Sequence, residues 1–353
     1  MLPSTSSIVV VLGALSVLIA FSVLLHRIWM EQTRARALVV HARLCDSAGA
    51  FRYARADLAA VLGEFKRVHY AAGVEALLSC TARTSPEAQA RMRQLFMACG
   101  YEQRAIAGLR HYAAAHRADA ATHLAYLGGE ASLPALREHM NDADPIVRLA
   151  VANAMARIGG ADHVPAVLHT LAALHDVPLQ RSAEILQGLG AQAAAPLSNV
   201  LRDAAEPREL VIAATTVGLL GEAQTLPDLL PLLRHADETV RIASAKALGL
   251  IGDVRAAEEL TIALDDPVWE VRGVAAKSLG QLRQERSVEP LRKHLADRAW
   301  WVRYNAALAL EQIGLRGIRA LIETAAHDAD RFARDISHQI LGRYAGELAQ
   351  ARI

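Results

Sequence analysis

The sequence predicts an all-α fold: an α-solenoid of about eight 31-residue helix-pair repeats, preceded by one transmembrane helix. Three observations predict it. Glycine recurs at Gly128, Gly159, Gly190, Gly221, Gly252 and Gly314, every interval a multiple of 31 residues. The apolar residues ahead of these glycines keep the same register, and residues 1–26 contain no Lys, Arg, Asp or Glu. A period of this length holds two short helices and a turn, a unit that buries its apolar face only against its neighbours. Function in such a molecule belongs to a surface rather than to a single pocket.

The first element is an apolar run, Ile8 to Leu25 (IVVVLGALSVLIAFSVLL). Eighteen helical residues reach roughly 27 Å, close to the hydrocarbon thickness of a bilayer. With no basic residue ahead of it and no A-x-A-like site after it, residues 8–26 are expected to be an uncleaved transmembrane anchor. His26, Arg27 and Trp29 follow, then Arg34, Arg36 and Arg43; Trp29 suits the interfacial belt and the arginines suit the cytoplasmic side. From Arg27 to Arg67 there are eight basic residues against four acidic, in a chain whose net charge is only +1. The expectation is a single-pass membrane protein, of a bacterial inner membrane, with its solenoid in the cytoplasm. The juxtamembrane surplus also suits contact with anionic headgroups, at about 1 kcal/mol per nearby charge.

Residues 27–115 remain helical in pattern while the register fades. ARALVVHARL, ADLAAVLGEFKRV, GVEALLSC and SPEAQARMRQLFMACG read as degenerate helix pairs. They predict a helical juxtamembrane and capping region, since terminal repeats of a solenoid are often atypical. Its cysteines, Cys45, Cys80 and Cys99, are odd in number and form no C-x-x-C pair. Reduced cytosolic thiols are the simplest reading.

The solenoid is expected over residues 116–347. In its first helices Val147, Val240, Val271 and Val302 precede an arginine, and Ala152, Ala183, Ala214, Ala245, Ala276 and Ala307 follow. Next come Met155, Leu186, Val217, Leu248, Leu279 and Leu310, then Ile158, Leu189, Leu220, Ile251, Leu282 and Ile313. These spacings put one apolar side on an α-helix, with alanine allowing the neighbouring helix to approach. The column glycine after them is a helix stop that tolerates positive φ; Arg283 and Ala345 replace it in two units. Second helices begin around Pro134, Pro165, Pro196, Pro227 and Pro290, in first turns where a missing N–H is harmless.

The unit, in copies such as DADPIVRLAVANAMARIGG and ADETVRIASAKALGLIGD, closely resembles the HEAT-like repeats named after phycobilisome lyases, over roughly Arg117 to Ala345. The resemblance implies the solenoid fold. It leaves activity open, because that repeat serves lyases, DNA-repair proteins, hydroxylases and scaffolds alike.

Arg117, Arg148, Arg241, Arg272, Arg303 and Arg334 form a column, with aspartates six residues before some and four before others. The preferred reading is a ladder of loop aspartates that cap helices and bond arginines of adjacent repeats; an anion-binding stripe is the alternative. Leu179 and Leu210 interrupt the column and mark a softer or differently curved point. No phosphate loop, dinucleotide motif, H-E-x-x-H or nucleophile elbow occurs, and no His-Glu dipeptide of the kind HEAT-like hydroxylases use. His139, His235, His294 and His327 fall near ends of second helices, where the helix dipole favours partial positive charge. The repeat region is slightly acidic and lacks the footprint of nucleic-acid binding. The chain is therefore expected not to be an enzyme, with no cofactor, metal, small-molecule substrate or nucleic acid.

What remains is aromatic. Trp269 and Trp300 share one repeat position, Trp301 adjoins the second, and other repeats place Pro145, Asp176, Pro207, Glu238 and Arg331 there. Such variation predicts a solvent-facing site at the start of a first helix, where stacked repeats, about 10 Å apart, join the tryptophans into one protein-binding patch. Asp266 and Asp297 are expected to cap helices begun two residues early. The functional expectation is a membrane-anchored cytoplasmic protein–protein interaction scaffold. Alternatives are an accessory subunit of a membrane enzyme complex, such as an envelope-polysaccharide synthase, and a phycobilisome-lyase-like enzyme.

Overall fold

The computed structural model describes residues 37–81 and 85–350. The apolar run at 8–26 and Trp29 lie outside the described residues, and no helix among the described residues is long and apolar enough to cross a membrane. Every regular element described is helical. Contacts divide the chain into two units, the first ending at Ser132 and the second beginning at Leu133.

In the first unit a helix over residues 37–52 (α1) is followed by α2 (Leu58–Phe65), α3 (Tyr70–Thr81), α4 (Pro86–Ala98), α5 (Tyr101–Gly108) and α6 (Ala114–Leu127). Helix α4 starts where Ser85 Oγ accepts from the Ala88 N–H at 3.3 Å, with Pro86 at the first position, where its missing donor costs nothing. The core is built on Phe65, Leu77, Met92, Phe96 and Leu124, all sealed from solvent. Tyr101 locks α5 into it by donating from its hydroxyl to the Phe65 carbonyl at 2.8 Å. Its ring lies against Gly73, where any Cβ would collide with it. The hydrogen-bonded tyrosine ring fills the space a side chain at that position would need.

In the second unit first helices alternate with short second helices. The first helices are α8 (Pro145–Ile158), α10 (Leu179–Gln187), α12 (Pro207–Leu220), α14 (Glu238–Ile251), α16 (Trp269–Leu282), α18 (Trp300–Ile313) and α20 (Arg331–Gln350). The second helices are α7 (Leu133–Glu138), α9 (Val164–Ala172), α11 (Ala194–Asp203), α13 (Leu226–Leu229), α15 (Ala257–Ile262), α17 (Val288–Lys293) and α19 (Leu315–His327). Helix α12 packs on α14, α14 on α16 and α16 on α18, the nearest-neighbour stacking of a solenoid. The valine, alanine and large-residue columns are fully closed, from Val147, Ala152 and Met155 to Val302, Ala307 and Leu310. The fourth column is only partly so: Leu189 and Leu282 are buried, whereas Ile158, Leu220, Ile251 and Ile313 keep intermediate exposure at the helix ends.

Two local features differ from expectation. The second helices are often cut short: α13 has four residues and continues as a 3-10 turn, Leu230–Arg234, because Pro231 can neither donate nor fit beneath the preceding turn. The column glycine supplies a left-handed cap at Gly221 (φ 71°) and Gly252 (φ 75°), but Gly159 has φ −86° and Gly128 φ −74°. At Gly159 the positive φ moves one residue on, to Gly160 (φ 66°). Arg283, by contrast, occupies the left-handed region with φ 52°.

Candidate protein-docking surface

The ends of the first helices are organised by the arginine column. Arg241 donates through Nη1 to the carbonyls of His235 (2.9 Å) and Ala236 (3.0 Å), closing its own loop. Its Nε and Nη2 donate to Asp266 Oδ2 (2.8 Å) and Oδ1 (3.0 Å) in the next repeat. Arg272 repeats the pattern, to the carbonyls of Asp266 and Pro267 and to both oxygens of Asp297 at 2.7 and 2.9 Å. Both ion pairs are buried and bidentate, the geometry in which guanidinium and carboxylate bond most strongly. The hydrogen bonds from Arg272 to Asp297 raise the arginine further above its ordinary range. Burial pushes the Asp297 carboxyl up, yet hydrogen bonds from Arg272 and the Ala299 N–H, with the nearby positive charges, leave it below its usual value. At Arg241 and Arg272 the column is thus a structural ladder between repeats, whereas Arg148 bonds the carbonyls of its own loop, Asp142 (2.7 Å) and Ala143 (3.2 Å).

The expected capping role of the aspartates divides. Asp144 and Asp237 are true N-caps, accepting from Ile146 N and Thr239 N, each at 2.8 Å. Asp266 and Asp297 do not cap early helices: α16 and α18 begin at the tryptophans, with Val268 and Ala299 at the cap and no side-chain cap bond. The two carboxylates instead turn the loop, accepting from Val268 N (2.8 Å) and Ala299 N (2.7 Å) while holding the arginines. Commitment to the ladder places them two residues too early to reach the first helical turn.

Trp269 and Trp300 are therefore the first residues of their helices and Trp301 the second of α18. They are 41%, 44% and 53% exposed, large aromatics neither buried nor free of the surface. Trp300 stacks on Tyr304 one turn along α18, ring centroids 5.0 Å apart, and Trp301 stands edge-on to Trp300 at 4.9 Å. The ring cluster is thus Trp300, Trp301 and Tyr304, and Trp269 makes no ring contact with it. Phe332, 49% exposed near the start of α20, extends the exposed aromatic residues to a third consecutive first helix. Sequence reasoning missed Tyr304, which its place four residues after Trp300 on one helix face makes legible, and Phe332, which lies 31 residues after Trp301.

Two further column features escaped the sequence reading. Arg208 stands in for the missing arginine at Leu179 by donating through Nη2 to the carbonyls of Leu174 and Val177, both at 2.8 Å. Gly218, Gly249 and Gly280 form a second glycine column inside α12, α14 and α16. A Cβ on Gly218 would stand 2.7 Å from Ala247 Cα, and one on Gly280 would stand 2.7 Å from Ala309 Cα. These are backbone contacts that no side-chain motion relieves.

The histidines at second-helix ends follow two patterns. His139 and His294 bond the carbonyls of Ala135 and Pro290, one turn back, each at 2.9 Å, whereas His235 meets the Asp237 N–H at 3.0 Å. Among the described residues no three His, Cys, Asp or Glu side chains are grouped to hold a metal ion.

The family model for HEAT repeats matches residues 102–189, 194–279 and 257–342, two thirds of the chain. The chain belongs to the HEAT-repeat family. No curated protein sequence matches it. Among solved structures, human deoxyhypusine hydroxylase in complex with glycerol is 18% identical, with 78% of this chain and 97% of that one covered and a TM-score of 0.32. An engineered protein is 17% identical, with 86% and 98% covered and a TM-score of 0.38. Computationally designed armadillo repeat proteins for modular peptide recognition are 20% identical, with 60% and 98% covered and a TM-score of 0.34. Stacked HEAT repeats build an extended surface of the kind that protein-interaction scaffolds use.

Proposed function

We propose that this HEAT-repeat protein is a non-enzymatic docking scaffold, held to a membrane by residues 8–26 with its repeats on the cytoplasmic side, and that a partner protein binds at Trp269, Trp300 and Trp301. The single observation that carries the docking site is the exposure of these tryptophans at helix starts whose supporting loops are fixed by buried ion pairs. Rigid aromatic side chains presented by a fixed frame are the usual anchors of a protein interface, since little conformational freedom is lost when they are covered. Support for the anchor is the charge-free apolar run and the arginines that follow it. The ladder uses up Arg241, Arg272, Asp266 and Asp297, groups that an anion site or catalytic centre would otherwise draw on.

The test replaces Trp269 and Trp300 together by alanine and measures capture of partner from native membranes. A loss of affinity of about 2 kcal/mol or more, some thirtyfold, is expected with helical circular dichroism and melting unchanged. Unchanged capture removes the tryptophans from the interface, and a collapse in stability shows them to be packing residues.

A further inference from the structure

The arginine ladder has an open rung beside the aromatic cluster. Arg303 repeats the first half of the pattern, donating through Nη1 to the carbonyls of Asp297 (2.8 Å) and Arg298 (3.2 Å). The second half is missing. Its Nε is buried with no hydrogen-bond partner, in a residue only 9% exposed, whereas the Nε of Arg241 and of Arg272 each meets a carboxylate. Asp328 stands 25 residues on, as Asp266 and Asp297 do from their arginines, and like them accepts from the N–H two residues on, that of Asp330 at 2.9 Å, yet it forms no ion pair with Arg303.

The element before the loop accounts for this. Both closed rungs follow second helices that end in a 3-10 turn, Ala263–Asp265 and His294–Ala296. Helix α19 instead runs as α-helix to His327 and has Asp328 as its C-cap. A 3-10 turn rises further per residue than an α turn, so the last repeat delivers its aspartate to a different place. In its stead the Phe332 ring covers the guanidinium, 4.8 Å from ring centroid to Cζ. A charged donor edge that wants two carboxylate oxygens is left under a half-exposed aromatic ring, on the helix that carries Trp300, Trp301 and Tyr304.

We propose that Arg303 receives an acidic side chain of the partner protein, an Asp or Glu whose apolar neighbours in the partner's sequence lie on Trp300, Trp301 and Tyr304. The occupant is fixed by charge complementarity: the same guanidinium in the two preceding repeats holds a carboxylate through Nε and Nη2. Entry requires Phe332 to swing aside, and the displaced ring becomes a third wall against the partner's apolar residue. This rests on the docking reading above and adds the partner's chemistry to it.

The test uses the full-length protein in detergent micelles, with arginine labelled by nitrogen-15, and peptides selected on it from a displayed random library. Each selected peptide is compared with its Glu→Gln or Asp→Asn counterpart. The acidic peptide is expected to move the Arg303 Nε–Hε resonance, assigned from Arg303→Lys, while the amide counterpart leaves it in place. The acid-to-amide change is expected to weaken binding at least tenfold on wild type and less than threefold on Arg303→Lys. Should Arg303→Lys fail to fold, Phe332→Ala assigns the resonance and the paired peptides on wild type still decide. Two outcomes overturn the proposal alone. In one, the free protein's Nε–Hε resonance shifts on Asp328→Asn, so the rung is closed internally. In the other, acid and amide peptides bind equally but lose affinity on Trp300→Ala, so docking is aromatic only. Selected peptides indifferent to Trp300→Ala and Trp301→Ala, or no selected peptide at all, overturn both this inference and the docking site.

Discussion

Arg283 shows at a single residue how the repeat tolerates a violation of its own rule. It stands where Gly221 and Gly252 stand, in the left-handed region with φ 52°. A side chain there brings Cβ against the following carbonyl, at roughly 1–2 kcal/mol, partly offset because arginine has less freedom than glycine to lose on folding. Arg283→Gly is therefore expected to stabilise the protein by about 0.5–1 kcal/mol, read as a higher denaturation midpoint. No change, or a loss, would mean that the arginine has contacts that repay the strain. The thiols bear on topology at the same scale. Burial raises Cys80 and Cys99 to about 11, so at neutral pH both are poor nucleophiles on either side of a membrane. Topology is better read from Lys277→Cys, at an exposed position of α16: an impermeant thiol reagent applied to intact cells is expected to leave it unmodified, and efficient labelling reverses the cytoplasmic assignment.

Between elements, the close approach of first helices and the ladder make separable contributions. Glycine inside a helix ordinarily costs about 0.5–1 kcal/mol relative to alanine, so Gly→Ala there usually stabilises. Gly280→Ala is expected to do the opposite, by about 1–3 kcal/mol, because the new methyl meets Ala309 Cα and α16 and α18 must separate. Chemical denaturation of the variant gives the sign, and a gain in stability would refute the packing. For the ladder, Asp297→Asn leaves the buried Arg272 without its counter-charge, a change worth about 3 kcal/mol at neutral pH. Asp297 is held below the unfolded value of about 3.9, so the folded state binds fewer protons than the unfolded state around that pH. Its contribution is complete above the unfolded value and disappears as pH falls through the lower, folded one. Denaturation midpoints of wild type and Asp297→Asn should therefore differ by a constant amount at pH 5–8 and converge below about pH 4. A difference that grows towards acid contradicts the pairing. The ladder itself was legible in the sequence because its arginines and aspartates obey one period. What the aspartates bond was not: capping and cross-repeat pairing call for the same residue in nearly the same place. The offset separates them once the loop is seen: Asp237, four residues before its arginine, caps the helix, and Asp266, six before, bridges to the preceding repeat.

For the whole molecule, periodicity carried the fold and left function to exceptions from it. The columns Ala152 to Ala307 and Met155 to Leu310 are buried as the 31-residue register requires, and the HEAT-repeat match covers the same region. The lengths of second helices were hidden, because Pro231 breaks one and a 3-10 turn ends others without any periodic mark. Trp269 and Trp300 stood out in the sequence because they break a variable column with large aromatics, and Trp301 because it adjoins the second. The cluster that Trp300 and Trp301 form with Tyr304, without Trp269, depends on ring orientation, which no spacing encodes. On the docking proposal, a partner protein covers these rings. A photo-crosslinking amino acid in place of Trp301, in the full-length protein within its native membranes, tests this most directly. A discrete adduct with one partner protein is expected, lost when Trp269 and Trp300 are also replaced by alanine and absent when the crosslinker is placed at Lys277. No adduct from position 301 beyond that from position 277 would contradict it.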